Sequence, residues 1–192
     1  MRALRVTARR LEFRDLPTRV EWFNESSVAQ MMLMDYPASL ADTELWFSSH
    51  RMSASRRDFV FDAPNISEHS IVAMGGLTDI DPRNRRAEVY IVVAPDRRRQ
   101  GYGREAMIWL ANYGFTVLDL SRIYLQTLGV NEPAQGMYER LGFLREGTLR
   151  QHVIHRGVPQ DRALYALLKD EWRAQPWACD DWLRLGVGGR SQ

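Results

Sequence analysis

The sequence predicts an α/β (α+β) domain, with a mixed central sheet of six to seven strands flanked by about four helices. Three observations carry that expectation. Runs rich in β-branched and aromatic residues recur at 57–61, 69–77 and 87–93, joined by short polar turns, the pattern of an antiparallel meander. The third run leads to a glycine pair, Gly101 and Gly103, that opens a long amphipathic segment. After that segment come a strand, a helix and two more strands, so helices and strands interleave.

Taken in order, residues 4–7 form a short β-prone run and are expected to be the first strand. Asp15 is read as the N-cap of a first helix, with Pro17 in its first turn and Leu16, Val20 and Phe23 at helical spacing. Ser26 or Ser27 is read as the cap of a short second helix over 28–32. Ser39 and Asp42 form a capping-box pattern ahead of Leu45, Trp46 and Phe47. The tryptophans and phenylalanines here are read chiefly as packing. Gly75 and Gly76 inside the second long strand suggest a bulge or a close backbone approach. Beyond the glycine pair, Ala106, Met107, Leu110, Gly114 and Val117 recur three or four apart, which predicts a buried helix face. Residues 122–128 read as a buried strand. Asn131 caps a helix that stops at Gly142. Residues 143–154 and 161–168 read as two strands about a turn at 157–159. The domain is expected to occupy 1–172, and 173–192 to be a tail with one docked turn near Trp182.

Composition excludes several classes. The 192 residues are enough for one domain with a core. A net charge of +2 gives no general basic field, so no nucleic-acid partner is expected. The single cysteine, Cys179, rules out an internal disulfide framework and suits a reducing cytoplasm. The four histidines show no metal spacing, so no metal is expected. No apolar run reaches membrane-spanning length, and residues 1–10 carry no signal-like apolar core.

The chemistry concentrates between residues 86 and 106. A strand ends at Pro95-Asp96, three arginines follow, and the segment Arg98-Arg99-Gln100-Gly101-Tyr102-Gly103-Arg104 opens the helix. Glycines allow close backbone approach, and a helix N-terminus offers unpaired N–H groups and a positive dipole end. This combination asks for a phosphate, most simply a pyrophosphate. Gly101-x-Gly103-x-x-Ala106 also matches a dinucleotide-binding fingerprint. Its mid-chain position and the seven residues between strand and first glycine count against a nucleotide-dependent dehydrogenase.

The 98–103 loop, the element order, and the run Asn131-x-x-Ala134-x-x-x-Tyr138-Glu139-Arg140-Leu141-Gly142-Phe143 together resemble a GNAT N-acetyltransferase over roughly residues 3–172. In look, the sequence is most similar to the spermidine/polyamine N-acetyltransferase branch. The resemblance implies acetyl-CoA as co-substrate and transfer of acetyl to a primary amine of a small molecule by direct attack, without a metal. It implies that the backbone of Ile91, Val92 and Val93 pairs with the pantetheine arm. Residues 98–104 would then bind the pyrophosphate, Asn131 would hydrogen-bond the arm, and Tyr138 would protonate the departing thiolate. Acetylation of protein N-termini and a non-catalytic acyl-CoA sensor stay open beside that reading.

Alternation puts Glu88, Tyr90 and Val92 on one strand face. A carboxylate on a mostly apolar strand is costly unless paired or used, so Glu88 is either the base that takes the ammonium proton or the partner of Arg86. Carboxylates are sparse in the helical region expected over the acceptor: Glu25, Asp35, Asp42 and Glu44. A lower-charge amine therefore stands beside a polyamine as the acceptor. Trp177, Trp182, Leu183 and Leu185 are too apolar for a solvated tail, and predict packing on the domain or on a second copy in a homodimer or larger assembly.

Overall fold

The computed structural model describes residues 4–32, 37–66, 70–155 and 157–181. Seven strands form one sheet: β1 (Thr7–Arg10), β2 (Arg57–Asp62), β3 (Ile71–Asp81), β4 (Arg86–Val93), β5 (Arg122–Leu128), β6 (Leu144–His155) and β7 (Val158–Leu168). Six α-helices accompany them among the described residues: α1 (Leu16–Asn24), α2 (Ser26–Met32), α3 (Leu40–His50), α4 (Tyr102–Thr116), α5 (Glu132–Arg140) and α6 (Lys169–Arg173). The strand order is β1-β2-β3-β4-β5-β7-β6. β1 to β4 form the expected antiparallel meander. The β4–β5 pair is parallel, with α4 as its crossover, so the sheet is mixed.

Each face of the sheet buries its own cluster. Phe59, Phe61, Ala87, Val89, Ile123 and Leu125 pack under α4, with Trp109, Leu110 and Phe115 opposite them. Val60, Met74 and Val92 point the other way and pack against Leu16, Trp22, Phe23 and Phe47 of α1 and α3. Period-two alternation along β4 thus feeds two cores.

Several local expectations are corrected. The first strand is Thr7–Arg10, because Arg5 is drawn away to Glu105 while residues 7–10 register against 59–62. Asp15 stands at the N-cap of α1 but makes no cap bond. Its carboxylate is held instead by Arg9 Nη1 and Nη2, each at 2.7 Å, and it is almost fully buried. The cap of α2 is Glu25, whose carboxylate accepts from the Ser27 and Val28 amides at 2.8 and 3.2 Å. A carboxylate at a helix N-terminus meets the positive dipole end, which serine cannot match in charge. Ser39 caps α3 as expected, accepting from the Asp42 amide at 3.0 Å. The glycine pair of β3 marks close approach, not a bulge. A Cβ on Gly75 would lie 2.7 Å from Tyr90 O and 3.2 Å from Leu110 Cδ1, and one on Gly76 would lie 2.3 Å from Arg57 O. Register shifts fall elsewhere, between Phe61 and Asp62 and between Thr78 and Asp81. Val158 and Pro159 are already in β7, so the outer hairpin turns more tightly than expected.

The chain beyond α6 stays on the domain through Cys179. Buried Asn112 of α4 accepts from Trp172 Nε1 at 2.8 Å and from the Cys179 amide at 3.0 Å. Trp177 lies in the main core. Trp182, Leu183 and Leu185 lie outside the described residues.

Candidate active site

The feature that makes a site is a gap in the middle of the sheet. β4 and β5 are in register only over Arg86↔Arg122, Ala87↔Ile123 and Glu88↔Tyr124. Beyond Glu88 the two strands part, although each keeps its outer neighbour, β3 or β7. The backbone of residues 89–93 therefore faces open space where a strand would pair. Ile91 and Val93 turn their side chains toward α4, and Val92 toward α1 and α3.

The open end of this gap carries the glycine loop. Gly101 adopts a left-handed backbone (φ 90°) as N-cap of α4. This leaves the first amides of the helix, at Tyr102, Gly103 and Arg104, without intrahelical partners. A side chain at Gly103 would meet Val93 Cγ2 at 2.9 Å and Met137 Sδ at 3.6 Å. Its bareness therefore seats α4 between β4 and α5, whereas Gly101 is the exposed glycine of the pair. The loop arginines divide into two kinds. Arg97 pairs with Asp96 at 3.2 Å, and Arg98 Nη1 donates to Ser27 Oγ. Arg99 and Arg104 are exposed and make no hydrogen bond or ion pair among the described residues. Gln100 donates from Nε2 to Asp96 O at 3.1 Å.

Sequence reasoning missed the clamp on this loop. Arg5 Nη2 donates to Gln100 O at 2.8 Å, its Nε donates to Glu105 Oε1 at 2.6 Å, and its guanidinium lies 4.7 Å above the Tyr102 ring. Arg5 is 95 residues distant from Gln100 in the chain, and no local pattern marks it.

On the other side of the gap, Asn131 stands at the N-cap of α5 but makes no side-chain cap bond; its Nδ2 donates instead to Thr127 Oγ1 at 3.3 Å. Tyr138 lies on α5, 9% exposed, between the rings of Phe143 and Tyr165, each centroid 6.1 Å away. Its hydroxyl has no hydrogen-bond partner among the described residues, and burial pushes its pKa up to about 12. The phenol therefore holds its proton throughout the neutral range.

Glu88 sits where the strands part, on the sheet face opposite Tyr138, since it alternates with Ala87 and Val89 of the α4-side core that includes Tyr138. It makes no ion pair or hydrogen bond among the described residues. Arg86, the expected structural partner, turns to Asp81 at 3.6 Å. Burial raises the Glu88 pKa; the positive charge of Arg162 opposes this and Asp79 adds to it. Beside it on the same face stand Tyr124, Gln126 and Arg162, placed there by the registers Tyr124↔Ala166, Gln126↔Leu164 and Leu128↔Arg162. Strand alternation alone does not show these three, because the parallel β4–β5 pairing joins residues 36 positions apart (Glu88↔Tyr124) and Arg162 arrives only through the pairing of β7 with β5.

Comparison with known proteins agrees with this architecture. The acetyltransferase (GNAT) domain model matches residues 5–144. The chain is 28% identical over 163 residues to the spermidine N(1)-acetyltransferase of Vibrio cholerae, covering 84% of this chain and 92% of that protein. It is 28% identical over 176 residues to YdaF of Bacillus subtilis, provisionally named a ribosomal N-acetyltransferase, covering 88% of this chain and 94% of that one. The crystal structure of the Vibrio cholerae spermidine enzyme in complex with CoA and spermine superposes with a TM-score of 0.80 at 27% identity, over 87% of this chain and 97% of that one. Another structure of that enzyme, described as dodecameric, superposes with a TM-score of 0.78 at 27% identity, over 89% of this chain and 99% of that one.

Proposed function

The chain belongs to the GNAT acetyltransferases, and on that footing we propose that it moves an acetyl group from acetyl-CoA to a primary amine of a small molecule by direct attack. The observation that carries the proposal is the gap between β4 and β5, which has an anion cradle at its mouth, a phenol on one face and a carboxylate on the other.

The residues present fit the co-substrate. The free amides at the start of α4, with Arg99 and Arg104 beside them, suit a pyrophosphate. Residues 98–104 are the cradle in this reading. The exposed edge of Ile91, Val92 and Val93 suits an extended amide-bearing arm, as a sheet edge suits a peptide. Asn131 stands at the opposite rim, in reach of the same arm in this reading. When bound, acetyl-CoA supplies the activated acyl carbon and a thiolate leaving group.

The chain's own part is to handle protons. The acceptor nitrogen forms a bond to the acyl carbon as the carbon–sulfur bond breaks. One proton leaves the ammonium before attack and one reaches the sulfur, and the nitrogen then sheds a further proton as the amide forms, which restores the phenol. Glu88, its pKa raised by burial and without a competing ion pair among the described residues, takes the first directly or through water. Tyr138 Oη gives the second, since a departing thiolate is basic enough to accept from a phenol. A metal has no role in this scheme.

A second reading, acetylation of protein N-termini, is favoured by the match to YdaF along nearly its whole length. A non-catalytic acyl-CoA sensor would have no use for Tyr138. We also read the protein as a homodimer or larger assembly. The outer hairpin exposes Leu144, Ile154 and Val158, and the related Vibrio cholerae enzyme has a dodecameric structure. The test is free-CoA release from acetyl-CoA over a panel of polyamines, amino sugars and short peptides. Turnover of small amines in preference to peptides is expected. Preference for peptides would move the function to the second reading, and binding without turnover of any amine would leave the sensor.

A further inference from the structure

The face of the sheet that holds Glu88 is unusual in what it leaves unbonded. Gln126 Oε1 and Arg162 Nε are buried and have no hydrogen-bond partner among the described residues. Neither Arg162 nor Glu88 makes an ion pair among the described residues, although each feels the other's charge. The Tyr124 hydroxyl is likewise unbonded among them. Buried polar groups are almost always paired, because one left unmet forfeits its hydration without a replacement bond. Two such groups, with half-buried Glu88 and Tyr124 beside them on one face next to the gap, point to a polar ligand that completes them.

The charges say what that ligand carries. A polyamine needs several carboxylates arrayed along it. This face offers Glu88 and, beyond it, Asp79, with Arg162 set against them. One strand row further on, Arg56 Nε donates to Asp58 Oδ2 at 2.8 Å, and Arg19, which feels the charge of the same carboxylate, lies 4.2 Å and 4.4 Å from the rings of Phe23 and Trp46. Arg19 is 5% exposed, and its Nη1 has no hydrogen-bond partner among the described residues. Three guanidiniums (Arg162, Arg56 and Arg19) thus stand against three carboxylates (Glu88, Asp79 and Asp58) on the floor of the acceptor side, so it offers a polycation no surplus of negative charge, while Arg162, without an ion pair among the described residues, suits an anion.

Resting on the acetyltransferase reading above, we propose that the acceptor is an amino carboxylate: its amine lies at Glu88 and Gln126 Oε1, and its carboxylate is held by the Arg162 guanidinium. Arginine's planar fork matches a carboxylate through two parallel hydrogen bonds. An acceptor lacking the carboxylate would leave Arg162 buried and unmet, so discrimination comes from that penalty as much as from the contact.

The test uses the full chain with acetyl-CoA and measures free CoA with α-amino acids, their carboxamides, spermidine and spermine. For the preferred amino acid, kcat/KM should exceed that of its own amide by at least tenfold and exceed that of both polyamines. In Arg162→Gln this acid-to-amide ratio should fall toward one, through a higher KM for the acid. Arg162→Lys should restore part of it, which loss of fold would not. Should Arg162→Gln not fold, Gln126→Glu should lower the ratio by placing a second negative charge beside the site. An amide or a polyamine used as well as the acid overturns the inference and leaves the acetyltransferase reading standing. Acetyl-CoA that raises Tm without turnover of any amino carboxylate also overturns it. Failure of acetyl-CoA to raise Tm removes the acetyltransferase reading itself, and the inference with it.

Discussion

The Tyr90 hydroxyl reaches across Gly76 to donate to the Asp58 carboxylate. Asp58, Gly76 and Tyr90 are in register on three adjacent strands, and the middle one presents no side chain. A Cβ at Gly76 would stand 3.0 Å from Tyr90 Cε1 and 2.3 Å from Arg57 O. Gly76→Ala should therefore be strongly destabilising, and far more so than Gly147→Ala, where the nearest atom is 3.9 Å away. Tyr90→Phe keeps the ring and removes the donor, at a cost of about 1–3 kcal/mol. Urea unfolding of the three variants orders them; equal midpoints for the two glycine variants would contradict the packing described.

Glu88→Gln should raise stability at neutral pH. Burial lifts the carboxyl's folded-state pKa above its unfolded value, so the folded state binds its proton more tightly. Its contribution is most favourable below the unfolded pKa and is lost as pH rises through the raised folded pKa. Glutamine resembles the protonated form and escapes that loss. The Tm gain of the variant should be present near pH 7 and shrink toward pH 4. Its activity should fall most at low pH, where little amine is free, and recover partly as pH rises. A loss of Tm at pH 7 would mean that Glu88 has a stabilising partner.

Tyr138→Phe keeps the packing against Phe143 and Tyr165 and deletes the proton. Turnover should fall roughly 10²–10⁴-fold, with acetyl-CoA affinity little changed. Because burial pushes the phenol up to about 12, the wild-type pH–rate profile should show no descending limb from this group below about pH 10. Steady-state rates across pH, together with acetyl-CoA titration of both proteins, check all three points. Full turnover in the variant would take the acid role from Tyr138.

Gly103→Val tests the cradle. Acetyl-CoA should raise the wild-type Tm by mass action. The variant should start from a lower Tm, since its side chain runs into Val93 and Met137, and should gain little from acetyl-CoA because the start of α4 has moved. Arg104→Ala, on the solvent side of the same turn, should keep its fold and lose only part of the ligand shift. Thermal scans with acetyl-CoA and, as control, NADH distinguish these outcomes. A shift with NADH alone would point to a dinucleotide cradle.

The sequence made some elements plain and hid others for identifiable reasons. Residues 122–128, the capping of α3 by Ser39 and the glycine-led start of α4 could be read because each is fixed by neighbours within a few positions. The caps of α1 and α2 could not. Asp15 is claimed by Arg9 through a buried ion pair, and Glu25 outcompetes the serines beside it. The candidate site divides the same way. Its loop and Tyr138 lie in local motifs, whereas Arg5, Gln126 and Arg162 come to it only through tertiary contact and strand pairing between distant segments.

The narrow seam between β4 and β5 has a consequence for how the molecule opens. Three residue pairs join the meander of β1 to β4 to the β5-β7-β6 half of the sheet, whereas β5 meets β7 along seven and β6 meets β7 along eight. The seam is thus the shortest strand pairing within the sheet's interior, and the halves, joined beyond it by the core under α4, are expected to open along it first. Native-state hydrogen exchange should show amides of residues 89–93 and 125–128 that face the gap exchanging ahead of those on the β3 and β7 sides. A ligand lying in the gap would act as a missing strand, slowing exchange on both margins together and closing the seam along its length.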